Sequence, residues 1–259
     1  MNGLLIYHRS DYDKNKTYIN WLRDTASGEG MTLHLRFSDE LLRAGIAPGD
    51  RFDFVINRSR SYELSVLFEL NGLKVFNSSD VTRLGNHKLS AYRYAQSKGI
   101  AFAPVLVSWN HRKTLISKPI SGHGGQGIEV VPGNVPFDET RFQQELIDNA
   151  EGDMRFYIIH NELIHCVLRK ASSGFLSNYS QGGLAEYYHY SPAEQKLVLE
   201  LIRGLDIDYA GVDFLLLKDG SLLFNEIEDV VGSRMLSALG KNNTTELFLT
   251  HIRQTLGQT

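Results

Sequence analysis

Short apolar runs alternate with segments of helical periodicity along the first part of the chain. The pattern predicts strands at residues 4–7, 31–35, 52–56 and 74–76, and helices at 14–26 and 61–71. Single helices between successive strands are typical of parallel βαβ units with right-handed crossovers. We therefore expect a small α/β lobe at the N-terminus.

The later pattern changes to short strands separated by polar or glycine-rich turns. A helix at 86–99 is expected to stop at Gly99, and a helix at 191–204 begins with a Ser191-Pro192 cap. The other predicted elements are strands at 105–107, 115–118, 128–131, 154–160, 163–168, 211–217 and 221–228, helices at 138–147 and 244–256, and a tight turn at Asn161-Glu162. This pattern predicts three lobes in series along the chain.

Composition excludes several function classes. Of the 259 residues 42% are hydrophobic and 22% are charged, and the net charge of −3 does not favour nucleic-acid binding. No run approaches the ~20 apolar residues of a transmembrane helix, and the N-terminal apolar run is too short for a signal peptide. Cys166 is the only cysteine, which fits a reducing compartment. We expect a cytoplasmic protein without membrane or nucleic-acid partners.

The clearest chemical signal is a predicted hairpin near the C-terminus. Asp219-Gly220 favours a two-residue type I′ turn, which would pair Lys218 with Ser221. In that register Asp213 lies directly opposite Glu226. Like charges at directly paired positions are destabilising, so the pair requires compensation.

Glu228 lies two residues after Glu226 and should share its face. A divalent cation with oxygen ligands, Mg²⁺ in a nucleotide enzyme, would compensate three carboxylates. The alternative is a solvated strand end, or pairing with Arg155, Arg169 or Arg234. The same face is expected to carry four apolar residues, Leu215, Leu217, Leu222 and Phe224.

A glycine-rich loop between two predicted strands is the second signal. Gly122, Gly124 and Gly127 form a literal G-x-G-x-x-G, with Gly125 inside it. A dinucleotide fingerprint needs a helix after the loop, whereas the segment that follows is strand-like, so a dehydrogenase is the least supported function. Such a loop can instead fold over phosphates, with Lys118 supplying positive charge. The alternative is a glycine-rich hairpin that binds no ligand.

The order of these motifs resembles the ATP-grasp superfamily, and within it the RimK-like carboxylate–amine ligases. The resemblance covers roughly residues 74–236. Its motifs in this sequence are Asn86-His87-Lys88, Lys118 with the glycine loop, Gln144-Glu145-Leu146-Ile147, Asp153-Met154-Arg155, Asn178 with Gly182-Gly183, Gly211-Val212-Asp213 and Asn225-Glu226-Ile227-Glu228.

The resemblance implies an ATP-grasp fold of class α/β with α+β lobes: a parallel βαβ lobe at 1–84, a small antiparallel lid at 85–147 and a C-terminal α+β lobe with the metal site at 148–259. It implies phosphate contacts from Lys88, Lys118 and the loop, adenine contacts at 144–147, ribose or substrate contacts from Asp153 and a contact from Asn178. Mg²⁺, or Mn²⁺ in its place, would lie on Asp213, Glu226 and Glu228.

The implied reaction joins a small carboxylic acid, amino acid or peptide to an amine through an acylphosphate made from ATP. Arg155 and Arg169 would clamp the substrate carboxylate. Arg58 also follows a strand and could face the cleft, although a surface or structural ion pair is commoner for such an arginine. A homodimer is the commonest symmetric assembly.

Three departures keep other functions open. Glu228 stands where the family usually has asparagine, Leu176 where RimK-like members often have arginine, and residues 229–234 replace a small proline-containing turn. An ATP-grasp phosphotransferase and a nucleotide-binding regulatory protein without turnover are the alternatives to a ligase.

Overall fold

A computed structural model describes residues 1–107, 113–122, 124–134, 136, 138–170 and 184–257, which build three β-sheets flanked by helices. The strands are β1 (Asn2–Tyr7), β2 (Thr32–Phe37), β3 (Phe54–Asn57), β4 (Lys74–Phe76), β5 (Val105–Leu106), β6 (Leu115–Pro119), β7 (Glu129–Val131), β8 (Arg141–Glu145), β9 (Ala150–Ile159), β10 (Glu162–Lys170), β11 (Leu184–Tyr187), β12 (Tyr209–Leu217) and β13 (Leu222–Glu228). The helices are α1 (Tyr12–Gly28), α2 (Ser38–Ala44), α3 (Tyr62–Leu70), α4 (Ser79–Asn86), α5 (Lys88–Ser97), α6 (Pro192–Ile202), α7 (Arg234–Ala238) and α8 (Thr244–Gly257).

The N-terminal sheet has the order β2-β1-β3-β4, and its pairs are all parallel, as the alternation of strands and helices predicted. Successive residues of β1 point to opposite faces, and both faces are covered. Leu4 and Ile6 belong to a buried cluster with residues of α2 and α3. Leu5 and Tyr7 belong to a different cluster on the other face.

That second cluster also contains residues of the C-terminal sheet. Leu5 and Tyr7 share it with Tyr157, Tyr209 and Phe248. The N-terminal sheet therefore packs directly on the C-terminal part of the chain. The boundaries 1–84, 85–147 and 148–259 remain a prediction.

The other two sheets are antiparallel, as expected. One has the order β11-β10-β9-β12-β13 and the smaller one β5-β8-β6-β7. The predicted mixture of a parallel lobe, a small antiparallel lobe and an α+β lobe is confirmed. Among the described residues no helix is long and apolar enough to cross a membrane.

The predicted helix at 138–147 is wrong, because its centre forms β8 between β5 and β6. Burial along β8 alternates with period two, with Phe142 and Gln144 buried and their neighbours less so. Asp138 accepts from the Thr140 backbone at 2.8 Å and forms a turn instead of a helix start. Pairing with the two neighbouring strands outweighed the local helix propensity.

Other local predictions had mixed outcomes. Ser191 and Glu194 form the expected capping box, and Gly99 ends α5 with φ of 70°. The turn between β9 and β10 is at His160-Asn161, one residue earlier than predicted, because both residues have positive φ. The sequence pattern did not predict α2, α4, α7 or β11.

Asn77 joins the N-terminal sheet to the C-terminal one. Its Nδ2 donates to the Tyr209 carbonyl and to Asp229 Oδ1, both at 2.7 Å. Its Oδ1 accepts from the backbone N–H groups of Asp208 at 2.9 Å and Tyr209 at 2.8 Å. This buried amide therefore fixes the start of β12 and the residue after β13 relative to β4.

We expect Asn77→Ala to lower the free energy of unfolding by about 2–4 kcal/mol, because it leaves buried backbone groups without partners. Urea denaturation measures the loss. The matched control is Asn71→Ala, since the only bond of the Asn71 side chain among the described residues is an exposed one to the Leu67 carbonyl; it should cost less than about 1 kcal/mol. Equal losses in the two variants would contradict the role of Asn77.

Candidate active site

The hairpin of β12 and β13 has a three-residue turn instead of the predicted two-residue turn. Leu217 N–H donates to the Ser221 carbonyl and Gly220 N–H to the Leu217 carbonyl, each at 2.9 Å. Gly220 has φ of 82°, as a type I turn followed by a G1 bulge requires. Leu216 pairs with Leu222, so Lys218 does not pair with Ser221.

A bulge at Asn225 corrects the register before it reaches the carboxylates. Phe214 pairs with Phe224, whereas Asp213 pairs with Glu226, so Asn225 has no opposite residue. The predicted pairing of Asp213 with Glu226 is confirmed, because the turn and the bulge shift the register in opposite directions.

The predicted face is only partly right. The bulge turns Phe224 and Leu222 away from the carboxylates, and both lie in the core cluster with Phe214. The rings of Phe214 and Phe224 are 5.9 Å apart between centroids. The carboxylates therefore share their face with fewer apolar side chains than expected.

Asp213 is fully buried and forms ion pairs with two arginines from neighbouring strands. Arg155, directly opposite on β9, donates from Nε to Oδ1 at 2.8 Å and from Nη2 to Oδ2 at 2.7 Å. Arg169 on β10 donates from Nη2 to Asp213 Oδ2 at 2.5 Å and to Asp153 Oδ2 at 2.6 Å. Arg155 also contacts Glu228. Alternating charges thus run Asp153–Arg169–Asp213–Arg155–Glu228 across the sheet.

Burial and these charges act in opposite directions on the three acids. Burial would raise the pKa of Asp213, but Arg155 and Arg169 lower it below its ordinary value. Burial raises the pKa of Asp153 against Arg169, and that of Glu228 against Arg155. Of these three acids, Asp213 is therefore the one whose negative charge is most strongly stabilised.

Asp213 and Glu228 are compensated by arginine, which was the alternative to a metal in the sequence interpretation, and Glu226 lies beside Lys88. Among the described residues no group of three or more His, Cys, Asp or Glu side chains is gathered as a metal site. Carboxylate oxygens are nonetheless the donors that Mg²⁺ prefers, and Glu226 and Glu228 keep 23% and 20% of their side chains exposed. The donor set fits Mg²⁺ at these two residues, and Asp213 would have to exchange an arginine for the metal.

Lys88 and Lys118 come from different elements and meet at β13. Lys88 Nζ donates to the Gly122 carbonyl at 2.8 Å and lies 3.4 Å from Glu226 Oε2. Lys118 Nζ donates to Asn225 Oδ1 at 2.9 Å. Burial lowers the pKa of Lys118 to about 8, although Glu226 opposes the shift. The structure therefore brings together both predicted lysines and one predicted metal ligand.

The glycine loop joins β6 to β7, so a strand follows it, as the sequence predicted. Gly124, Gly125 and Gly127 have φ of 64°, 73° and 68°, values that favour glycine. The carbonyl of Gly127 accepts from Arg141 Nη2 at 2.6 Å, which ties the loop to β8.

Three of the residues predicted to contact adenine already have partners within the protein. Gln144 is buried, accepting from Tyr92 Oη at 3.1 Å and donating to the Ala103 carbonyl at 2.7 Å. Glu145 pairs with Lys113 at 2.8 Å. Leu146 N–H donates to the Thr114 carbonyl at 3.3 Å, and Ile147 follows it. Adenine contacts at 144–147 remain a prediction, and Asn178 lies outside the described residues.

A basic cavity of ≈ 320 Å³ adjoins the charged chain. A second cavity of ≈ 490 Å³ continues from it. The first is lined by Arg155, Arg169 and Glu228 at one side, and both cavities share the lining residues Lys14, Asn15, Arg58, Gly232 and Arg234.

Sequence reasoning missed part of this site. The sequence motif gives Asn225 no role of its own, although a polar residue that interrupts the apolar alternation of β13 indicates a bulge. Tyr92, Lys14 and Arg60 carried no signal, because their proximity depends on packing between distant segments. Arg58 was expected to be a surface or structural ion pair and is buried beside the cavity.

Comparisons with known proteins show what this chain is similar to in sequence and fold. Residues 126–252 match the family described as the RimK-like ATP-grasp domain. An uncharacterized protein of Mycoplasma pneumoniae, the MG011 homolog, is 23% identical over 248 residues, which cover 92% of this chain and 87% of that protein. A probable alpha-L-glutamate ligase of Parasynechococcus marenigrum is 27% identical over 213 residues, which cover 73% of this chain and 46% of that protein.

The solved structure of D-alanine–D-alanine ligase from Bacillus anthracis complexed with ATP superposes with a TM-score of 0.74 at 15% identity, covering 100% of this chain and 98% of that chain. At this identity the likeness concerns the fold. The expected ATP-grasp fold is thereby confirmed.

We expect Asp213→Asn to lower the free energy of unfolding by about 3–5 kcal/mol, because it leaves two buried arginines without their shared partner. Chemical denaturation followed by circular dichroism measures this. The matched control is Asp24→Asn on the exposed side of α1, which should change stability by less than about 0.5 kcal/mol. An Asp213→Asn protein as stable as the wild type would show that the charged chain does not stabilise the fold.

Proposed function

We propose that this chain, whose residues 126–252 match the RimK-like ATP-grasp domain, is an ATP-dependent ligase that joins a carboxylic acid to an amine. In the proposed reaction a carboxylate oxygen attacks the γ-phosphorus of ATP, ADP leaves and an acylphosphate forms. The amine nitrogen then attacks the acyl carbon, phosphate leaves, and the nitrogen loses a proton as the amide forms. The names of the glutamate and D-alanine ligases support an amino acid or peptide among the substrates.

One observation carries this proposal. Lys88 and Lys118 meet Glu226 at the base of the glycine loop, with Lys88 bonded to the loop carbonyl of Gly122. A glycine loop, whose backbone can present N–H groups, beside two ammonium groups is suited to polyphosphate binding. Besides burial, repulsion by the charge of Lys88 lowers the pKa of Lys118, and a bound polyphosphate would relieve that repulsion.

The proposed role of these residues is positioning and charge neutralisation. Phosphoryl transfer needs little covalent chemistry from a protein, and fixed cations stabilise the charge on the transferred group. Lys88 and Lys118 would hold the phosphate oxygens, and the glycine loop would exclude the water that hydrolyses an acylphosphate. The backbone at 144–147 is proposed to contact adenine, and Asp153 and Asn178 the ribose or substrate.

Mg²⁺, or Mn²⁺, would supply further neutralisation of the phosphate oxygens when bound. We propose that Glu226 and Glu228 hold it with their partly exposed carboxylates, and that Asp213 joins them when an arginine releases one of its oxygens. Arg155 and Arg169 line the basic cavity, so their guanidinium groups would then be available to orient the carboxylate of the acid.

A nucleotide-binding protein without turnover is the second candidate. The observation that favours it is the neutralisation of Asp213 by two arginines, since a carboxylate already paired in this way has less to gain from a metal. Binding of magnesium-ATP without ADP release on any acid and amine would support this candidate.

We expect Glu226→Gln to lower substrate-dependent ADP release by roughly a hundredfold, because one oxygen ligand and the partner of Lys88 are lost. A coupled ADP assay with a panel of acids and amines measures it. The control is Glu162→Gln, a matched change at the exposed start of β10, which should leave the rate unchanged.

Omitting the amine separates ligase from phosphotransferase. A ligase should release ADP in proportion to amide only when acid and amine are both present. Stoichiometric ADP and a stable phosphorylated acid in the absence of amine would replace the ligase proposal by a phosphotransferase.

Unchanged turnover of the Glu226→Gln variant in the ADP assay would disprove the metal assignment.

The pH dependence of nucleotide binding tests Lys118. Its free pKa is lowered to about 8, and an ammonium beside phosphate regains its ordinary, higher pKa. ATP binding should therefore weaken as the pH rises above this value and should take up a proton there. Titration calorimetry in two buffers with different protonation enthalpies measures the uptake. Lys118→Arg should bind ATP without it; equal uptake in both proteins would assign the proton to another group.

A further inference from the structure

Arg58 is a buried guanidinium whose bonded partners are all neutral. It is 7% exposed, and it donates from Nε to Tyr7 Oη and from Nη2 to the Val231 carbonyl, each at 2.9 Å. Burial raises the pKa of Tyr7 to about 12, so this phenol carries no charge near neutral pH. Within the described ranges no carboxylate lies at ion-pair distance from Arg58. A buried charge of this kind costs folding free energy unless an anion pairs with it.

The acids around Arg58 have other partners. Asp11 pairs with Lys14 and with Arg60. Glu228 contacts Arg155. Asp229 accepts hydrogen bonds from Asn77 and from Asn86; burial raises its pKa, and the nearby charge of Arg58 acts in the opposite direction without a bond between the two. Among the described residues, Arg58 is therefore left without a bonded carboxylate.

Arg234 is a second arginine without an acidic partner among the described residues. It donates from Nη2 to the Lys14 carbonyl at 2.7 Å and to Asn15 Oδ1 at 3.4 Å. It lies three residues after Val231, whose carbonyl accepts from Arg58, so one short segment carries Arg234 and holds Arg58. Both also line the two joined cavities. Two guanidinium groups without a bonded carboxylate among the described residues thus line the same two cavities.

We propose that Arg58 and Arg234 form an anion subsite that binds a non-reacting carboxylate of the substrate. This inference rests on the proposed ligase function. The first cavity contains Arg155 and Glu228 as well as Arg58 and Arg234, so a substrate held by the subsite would extend its other end toward the proposed metal. Guanidinium groups hold carboxylates through paired, charge-assisted bonds, which select position as well as charge.

The space beyond the subsite accommodates more than an inorganic ion. The second cavity of ≈ 490 Å³ is lined by Tyr18 and Trp21, whose rings lie 5.9 Å apart between centroids. The Arg58 guanidinium lies 4.9 Å from the centre of the Tyr18 ring. The ligand class is therefore an organic acid with a second carboxylate, or an amine that carries a carboxylate, such as an amino acid.

Binding of glutarate in the absence of nucleotide tests the subsite without relying on catalysis. Calorimetry should detect glutarate binding to the wild type, weakened about tenfold or more in Arg58→Gln and in Arg234→Gln, because each removes charge-assisted bonds. Arg234 is exposed, so its variant keeps the test valid if Arg58→Gln folds poorly. The matched control is Arg43→Gln at an exposed surface pair, which should bind glutarate like the wild type.

Equal binding of glutarate by the wild type and the Arg234→Gln protein would overturn the subsite, and so would the absence of glutarate binding to the wild type. Inorganic phosphate that binds more tightly than glutarate would overturn its assignment to carboxylates. The pattern expected for glutarate, together with no ADP release on any acid and amine, would disprove the ligase reaction and leave the subsite in place. In an active enzyme the Arg234→Gln change should raise KM for the carboxylate-bearing substrate more than it lowers kcat.

Discussion

The chain of alternating charges Asp153–Arg169–Asp213–Arg155–Glu228 is the constraint on which the rest of the site depends. Its members lie on four adjacent strands, β10, β9, β12 and β13, so the strand register must be correct at every step. A single residue of slippage would turn a buried charge to the wrong face of the sheet, where it would have no partner. The geometry of the site and the pairing of the sheet therefore require the same strand register.

Two local irregularities in the hairpin of β12 and β13 produce this register. The three-residue turn at Gly220 and the bulge at Asn225 shift the register in opposite directions, and their sum restores Asp213 to Glu226. The bulge has a second effect, because it directs Asn225 toward Lys118 and turns Phe224 into the core. Bulges next to active sites commonly re-aim side chains in this way. The apolar core and the polar site are consequently adjusted by the same residue.

The site also joins parts of the chain that lie far apart in sequence. Asn77 fixes the N-terminal sheet on β12, and Arg58 reaches the turn after β13 through the Val231 carbonyl. The basic cavities lie along this junction, so their charge is set by residues of both parts. Arg155 and Arg169 have acidic partners within the sheet, whereas Arg58 and Arg234 have none among the described residues. That difference in compensation, more than the number of arginines, distinguishes a structural charge from one that awaits a ligand.

The sequence by itself determined the parallel N-terminal sheet, the carboxylate hairpin, the glycine loop and the two lysines, because each depends on local periodicity, turn chemistry or a short motif. It mistook β8 for a helix, since only the neighbouring strands β5 and β6 favour an extended backbone there. The sequence also predicted the pairing of Asp213 with Glu226 correctly, but from a two-residue turn that does not form. Tertiary structure alone decided that arginines neutralise Asp213 and that Arg58 lies buried with no bonded carboxylate in the described part of the chain, because both facts depend on distances between segments that sequence spacing does not encode.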